Sequence, residues 1–219
     1  MRPLIFSLVQ IGPVERQRIH SALRQGKVIA YPTDTLPGLG ADVFQPQGVA
    51  QILRLKGRDA QKPLSVLYSS VSRLLADFKH LNAIQRKTIS AFLPGPITLL
   101  LPAPPDFPKV LVSKGSTGVR VIDYPRLNQV FEDYPHPITT TSINPTGQPP
   151  ATSTAQILTY FKEELAIIIE DQVTYSRLGS TIIRLTNDNW EMVRVGVVSR
   201  NQIEAKFHQV FQNLNEKSN

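Results

Sequence analysis

The sequence predicts an α/β fold built on an open, twisted sheet of mixed parallel and antiparallel strands flanked by helices. Three observations lead there. Short apolar, β-branched runs alternate with segments of helical period along all 219 residues. The later strands follow one another without long crossovers, which requires some antiparallel pairs. A hydrophobic content of 41% against 19% charged residues suits a globular chain that buries its own core.

The elements follow in order. Leu4 to Val9 reads as a strand. Pro13 to Gln25 reads as a helix with Val14, Ile19, Ala22 and Leu23 on one side and Gly26 as its stop. Val28 to Tyr31 is a strand ended by Pro32, and Val49 to Leu55 is helical. Leu64 to Tyr68 is a strand, after which Ser70 caps a helix carrying Leu74 and Leu75. Ile84 to Phe92 is a helix stopped by Pro94-Gly95-Pro96. Ile97 to Leu101, Val119 to Ile122 and Ile138 to Thr141 are strands, and Thr154 to Phe161 is a helix. Ile167 to Glu170, Thr181 to Leu185 and Met192 to Val195 are strands. Ser199 caps a last helix to about Phe211. No repeat or linker divides the chain, so one domain over 1–211 with a frayed tail over 212–219 is expected.

Composition removes several kinds of chemistry. With no cysteine there is no disulfide framework, zinc–thiolate site or cysteine nucleophile. His20, His80, His136 and His208 lack metal-ligand spacing. The phosphate loop Gly-x-x-x-x-Gly-Lys-[Ser/Thr], the Gly-x-Gly-x-x-Gly fingerprint and the Gly-x-Ser-x-Gly elbow are missing too. The net charge of +7 favours anionic partners, and the basic residues are spread along the chain rather than gathered in an arm. The N-terminal stretch is too short and polar for a signal peptide, and the apolar runs are of strand length, so a soluble, cytoplasmic protein is expected.

Polar side chains gather where the chain leaves strands, in the loops that usually carry sites. Thr33, Asp34 and Thr35 follow the strand ending at Tyr31, with Gly38 and Gly40 beyond. Lys56-Gly57-Arg58 ends a helix, and Lys62-Pro63-Leu64 follows; a point charge and a planar fork one residue apart can converge on a polyphosphate. Both clusters also have ordinary readings, as a hydroxyl-capped turn and as cations at a helix C-terminus. Pro94 to Thr98 sets a rigid turn into a strand. Ser116-Thr117-Gly118-Val119-Arg120 puts a guanidinium in a β-branched strand, where it needs a partner or a ligand if buried. Thr139 to Ser142, then Asn144-Pro145 and Gly147, bring Ser142 and Asn144 to one side of an extended chain, suited to a ribose, a phosphate or a carboxylate. Ser180 and Arg194 complete the set.

In order and spacing, from about Gly12 to Ser199, these motifs resemble the YrdC/TsaC family of threonylcarbamoyl-AMP synthases, whose Lys-x-Arg and distant Ser-x-Asn are intact as Lys56-x-Arg58 and Ser142-x-Asn144. The resemblance implies a YrdC-type sheet with a basic concave face. It implies a nucleotidyltransferase that joins threonine, bicarbonate and Mg2+-bound ATP into threonylcarbamoyl-AMP and pyrophosphate, for a downstream transferase that modifies tRNA. It implies that Lys56, Arg58, Ser142, Asn144, Ser180 and Arg194 hold the nucleotide, Lys56 and Arg58 being catalytic, while Thr33, Thr35, Thr117 and Arg120 face the threonine. No protein-ligated metal is expected.

Two positions depart from that pattern. Pro37 stands where many synthases have tyrosine, and Leu67 where some have a histidine that helps hold threonine. The pair resembles the YciO branch, which implies an alternative: a protein binding double-stranded RNA or tRNA with weak or different nucleotide-dependent activity. A second alternative, the YrdC-like domain of hydrogenase-maturation carbamoyltransferases, belongs to much longer chains. An aromatic content of 7% gives no stacking stripe for single-stranded nucleic acid.

Overall fold

The computed structural model describes residues 2–57, 64–175, 178–187 and 189–215. They form one mixed sheet in the spatial order β1-β8-β2-β3-β7-β4-β6-β5-β9-β10. The strands are β1 (Leu4–Ser7), β2 (Ile29–Tyr31), β3 (Gly38–Gly40), β4 (Ser65–Leu67), β5 (Ile97–Pro102), β6 (Ser116–Arg120), β7 (Ile138–Ser142), β8 (Ile167–Glu170), β9 (Thr181–Leu185) and β10 (Trp190–Arg194). Four neighbouring pairs are parallel, β1–β8, β8–β2, β4–β6 and β5–β9; the others are antiparallel. The helices are α1 (Pro13–Arg24), α2 (Pro46–Lys56), α3 (Val71–Asp77), α4 (Ala83–Phe92), α5 (Pro125–Phe131), α6 (Thr154–Phe161) and α7 (Arg200–Asn215).

The helix starts follow from local chemistry. The Glu15 carboxylate accepts the Gly12 N–H at 2.9 Å, and Pro13 opens α1, where its missing N–H costs nothing. Ser70 accepts from the Arg73 amide, Asn82 and Gln85 cap each other, and Ser153 accepts from Gln156. Ser199 accepts the Gln202 N–H at 3.4 Å while its own N–H donates to Gln202 Oε1 at 2.9 Å.

Alternation along the strands gives the sheet two faces. One is mainly apolar. Ala30, Leu39, Val66, Leu99, Leu101, Val119, Ile168 and Ile183 meet α2, α3, α4, α6 and α7 through Ile52, Leu74, Phe92, Phe161 and Phe207. The other is apolar over half its width. There Ile29, Tyr31, Leu67, Ile138, Ile167 and Ile169 pack against Ile19 and Leu23 of α1 and Leu127, Val130 and Phe131 of α5. Over the remaining width no described helix covers this face, and its side chains turn polar.

Most expected elements are present, with shifts. Residues 8–10 leave β1 as a 3-10 turn, β6 spans Ser116–Arg120 rather than 119–122, and β10 spans Trp190–Arg194. The last helix runs to Asn215, so residues 212–215 of the expected tail are helical, and 216–219 lie outside the described residues. One strand and one α-helix were not anticipated. β3 is a three-residue Gly-Leu-Gly strand of low intrinsic β preference. It exists because the Tyr31 ring lies beneath it: a Cβ on Gly40 would sit 2.6 Å from that ring. α5 is seven residues long, and its signal was Pro125 at the first helical position with Leu127, Val130 and Phe131 at helical spacing.

His20 is buried in the second core, where its Nε2–H donates to the Val130 carbonyl at 2.7 Å. Burial disfavours the charged ring and lowers its pKa. The unfolded chain then takes the proton first as pH falls. The contribution of neutral His20 is therefore complete above about pH 6.5, the unfolded value, and is lost below it. The denaturation midpoint should fall between pH 7 and 5, and less steeply in His20→Gln; equal slopes would assign the acid sensitivity elsewhere.

Candidate active site

The uncovered half of the second face is the floor of a cavity of about 320 Å³. Its strands are β3, β7, β4, β6, β5 and β9, and most of their positions on the cavity are small or polar. Ser65, Thr98, Thr140, Ser142 and Arg120 line it together with Gly38 and Ile182. A Cβ on Gly118 would come 2.7 Å from Ser65 Oγ and 3.3 Å from Thr98 Cγ2, so these groups share one face. The walls are loops at strand ends: Thr35 and Leu36 after β2, Gly179 and Ser180 before β9, Arg194 at the end of β10, and Pro150.

Three linked constellations surround it. The first is at the exit of β7. Lys56, the last residue of α2, is 1% exposed and extends its ammonium to the Ser142 carbonyl at 2.6 Å, Asn144 Oδ1 at 2.8 Å and Ser142 Oγ at 3.4 Å. Ser142 Oγ donates to Asn144 Oδ1 at 2.7 Å, and Asn144 Nδ2 donates to the Gln148 carbonyl at 2.6 Å. Only Ser142 of these three reaches the cavity wall; Lys56 and Asn144 stand behind it.

The second is at β9 and β10. Ser180 Oγ and Thr98 Oγ1 are 2.7 Å apart, and Arg194 Nη2 donates to the Ser180 carbonyl at 2.8 Å. A hydroxyl pair shares one proton between its oxygens, so the second remains able to donate into the cavity. The backbone is crowded here: a Cβ on Gly196 would lie 2.2 Å from the Gly179 carbonyl oxygen and 2.5 Å from the Ser180 carbonyl carbon. Only glycine lets the β10 exit lie on the β9 entry and bring Arg194 inward.

The third is at the exit of β2. Arg120 Nη2 donates to Asp34 Oδ1 at 2.5 Å, and Asp34 Oδ2 accepts the Asp123 N–H at 3.0 Å. Thr33 Oγ1 donates to the Leu36 carbonyl at 2.7 Å and accepts the Thr35 N–H at 3.1 Å. The Thr35 and Thr33 hydroxyl oxygens are 3.2 Å apart.

Of the residues singled out in the sequence, Thr35, Arg120, Ser142, Ser180 and Arg194 meet on one cavity. Lys56 and Asn144 back it. Thr33 has its hydroxyl committed to the loop and does not line the cavity. Thr117 lies three residues before Arg120 in a regular strand, hence on the opposite face, beside Leu101, with its buried hydroxyl unpartnered. Arg58 and Lys62 lie outside the described residues. Ser65 was missed as a lining residue, and Thr98 and Thr140 stood within motifs that drew notice without being assigned to the site. Period-2 alternation over β4 and β5 carried that information for Ser65 and Thr98 once the opposite face was known to be mainly apolar, whereas β7 bears hydroxyls on both faces and gives no such signal. Among the described residues no carboxylate lines the cavity, and no cluster of His, Asp and Glu could hold a metal ion. No described helix is long and apolar enough to cross a membrane.

An open mixed sheet with an uncovered polar face, two guanidinium groups on the cavity and a buried ammonium behind it defines an α/β protein built to take an anionic small molecule. The family profile Sua5/YciO/YrdC, described as "Telomere recombination", matches residues 21–196, and the chain belongs to that family. The threonylcarbamoyl-AMP synthase of Photobacterium profundum is 36% identical over 171 residues, 77% of this chain and 92% of that one. A putative threonylcarbamoyl-AMP synthase of Methanocaldococcus jannaschii is 29% identical over 199 residues, 89% of this chain and 93% of that one. Among solved structures, P. abyssi Sua5 complexed with L-threonine superposes with a TM-score of 0.84 at 28% identity, over 94% of this chain. This chain spans 61% of the length of that Sua5. E. coli YciO shares the fold with a TM-score of 0.78 at 21% identity, over 90% of this chain and 96% of that one.

Gly196→Ala should lower stability by about 1–3 kcal/mol through overpacking and should weaken binding of an ATP analogue by displacing Ser180 and Arg194. Calorimetry on the folded variant checks this. Unchanged nucleotide affinity would separate Arg194 from the ligand.

Proposed function

We propose that this chain is a threonylcarbamoyl-AMP synthase and that the cavity is its active site. The observation that carries this reading is the donor set. Arginines, hydroxyls and a lysine behind the wall converge on a cavity whose described lining includes no carboxylate or histidine. Such a donor set suits neutralising and positioning phosphates. Adenylation by a carboxylate substrate needs positioning and charge stabilisation rather than a nucleophile from the protein. The amino group of threonine takes up bicarbonate to give N-carboxythreonine with loss of water. A carbamate oxygen then forms a bond to the α-phosphorus of ATP as the bond to the bridging β-phosphate oxygen breaks. Pyrophosphate leaves, which makes the enzyme a nucleotidyltransferase.

Arg194, Ser180 and Ser142 are assigned to the phosphates and ribose, with Lys56 and Asn144 fixing Ser142 and adding positive potential from behind. By its motif Arg58 is assigned to the phosphates as well. Arg120 and Thr35 are assigned to the amino acid or its carbamate. Thr33 shapes the Thr35 loop rather than touching substrate, and Thr117 is withdrawn from the site by its place on the opposite face. With no carboxylate on the described wall, Mg2+ would arrive with the ATP phosphates. A cytoplasmic setting, a downstream transferase and tRNA as the final acceptor go with this chemistry.

Leu67 favours one competing reading. Where a threonine-holding histidine is expected, it is buried in the second core with Tyr31 and Ile138. A chain that has lost its amino-acid subsite would bind nucleotide or double-stranded RNA without forming the adenylate. Pyrophosphate release from ATP and bicarbonate decides between them. The synthase reading expects release to depend on threonine and a product with the mass of threonylcarbamoyl-AMP. Lys56→Ala should slow it by roughly 10²–10³, the usual scale for one lost electrostatic group. Threonine-independent turnover, or salt-sensitive RNA binding without product, would favour the competitor.

A further inference from the structure

We infer that Asp34 is a positioning residue for Arg120, fixing which edge of the guanidinium meets the amino-acid substrate. The identity of that substrate rests on the synthase reading above; the geometry does not. The two side chains are 9% and 8% exposed and come from separate places in the fold, the loop after β2 and the end of β6. They stand on different sides of a partition. Arg120 lines the cavity, whereas Asp34 lines the neighbouring hollow with Thr33, Asp123 and Tyr124. Asp34 therefore grips the guanidinium from behind.

The grip is incomplete in an informative way. Asp34 Oδ1 takes Nη2 at 2.5 Å, but Oδ2 is engaged by the Asp123 N–H at 3.0 Å. The carboxylate is thus held by the backbone and does not close a two-pronged fork on the arginine. A guanidinium carries five N–H donors, and Arg120 Nε is buried without a partner. An ion pair kept only for stability would satisfy the donors it buries. This one holds the group by a single Nη2 contact while the side chain lines the cavity, as expected of an arginine that meets an acceptor there through its outer edge, the enclosed Nε–H not being the donor it offers. A carboxylate or carbamate, with two oxygens spaced to match the fork, is the ligand chemistry that fits. The Asp123 amide ties Asp34 to the segment leaving β6, so the loop after β2 and the arginine it holds are in fixed register.

Asp34→Asn keeps the size and an acceptor for the Asp123 N–H but removes the charge that holds the guanidinium. The threonine KM should rise at least about tenfold, as for one lost charge-assisted hydrogen bond. The ATP KM and kcat should stay within about threefold. Asp34→Glu should restore part of the loss. In an Arg120→Ala background, Asp34→Asn should add little to the threonine KM. A purely structural role would instead lower the melting temperature, degrade all kinetic parameters together and add to Arg120→Ala. The Arg120 Nε–H resonance supplies a readout without turnover: it should shift and exchange faster in Asp34→Asn. If the resonance depends on Asp34 but the wild type forms no threonine-dependent product, the synthase reading fails and the positioning role stands. An unchanged resonance, or an unchanged threonine KM in a threonine-dependent enzyme, overturns the inference.

Discussion

A buried ammonium organises this molecule. Lys56 is 1% exposed, and an unsatisfied cation at that depth would cost several kcal/mol. Its acceptors, the Ser142 carbonyl and Asn144 Oδ1, lie 86 and 88 residues further along the chain. Meeting them locks the C-terminus of α2 onto the exit of β7. The Thr146 N–H donates to the Lys56 carbonyl at 2.8 Å and makes the lock two-sided. Satisfying one charge thus shapes the loop from Ser142 to Gln148 and sets Ser142 in the cavity wall.

The second constraint is the asymmetry of the sheet. Helices cover all of one face and half of the other, so half of one face must be made of side chains that tolerate water or a ligand. Ser65, Thr98, Thr140 and Ser142 do this with hydroxyls on short stems, leaving room above the sheet. Arg120 and Arg194 reach the cavity from the ends of different strands, β6 and β10. Each is oriented by an acceptor outside the cavity lining or in the backbone: Asp34 for Arg120, the Ser180 carbonyl for Arg194. Preorganised cations over a small-residue floor are what charge stabilisation in a phosphoryl-transfer site requires.

Much of this is legible in the residues themselves, and the exceptions have physical causes. Lys56, Ser142, Ser180 and Arg194 could be singled out because hydroxyls and cations at strand and helix ends are read locally. Thr117 could not be assigned correctly without knowing where β6 begins. Taken from Ser116, the strand puts Thr117 and Arg120 on opposite faces; taken from Val119, it leaves Thr117 unconstrained. β3 was hidden because its glycines answer the Tyr31 ring, a contact of tertiary origin. Asp34 stood out as a carboxylate, but its partner lies 86 residues away and only the sheet order brings them together. Leu67 shows the reverse: its apolar character at an inward strand position places it in the second core.

The proposed activity depends on the polar cavity backed by Lys56 receiving the nucleotide. A crystal structure with a non-hydrolysable ATP analogue would locate it. Phosphate oxygens are expected within about 3 Å of Ser142 Oγ and the Arg194 guanidinium, with the α-phosphate facing the Arg120 end. An analogue bound elsewhere on the sheet, or with its phosphates at Arg120 and away from Ser142, would rule this placement out.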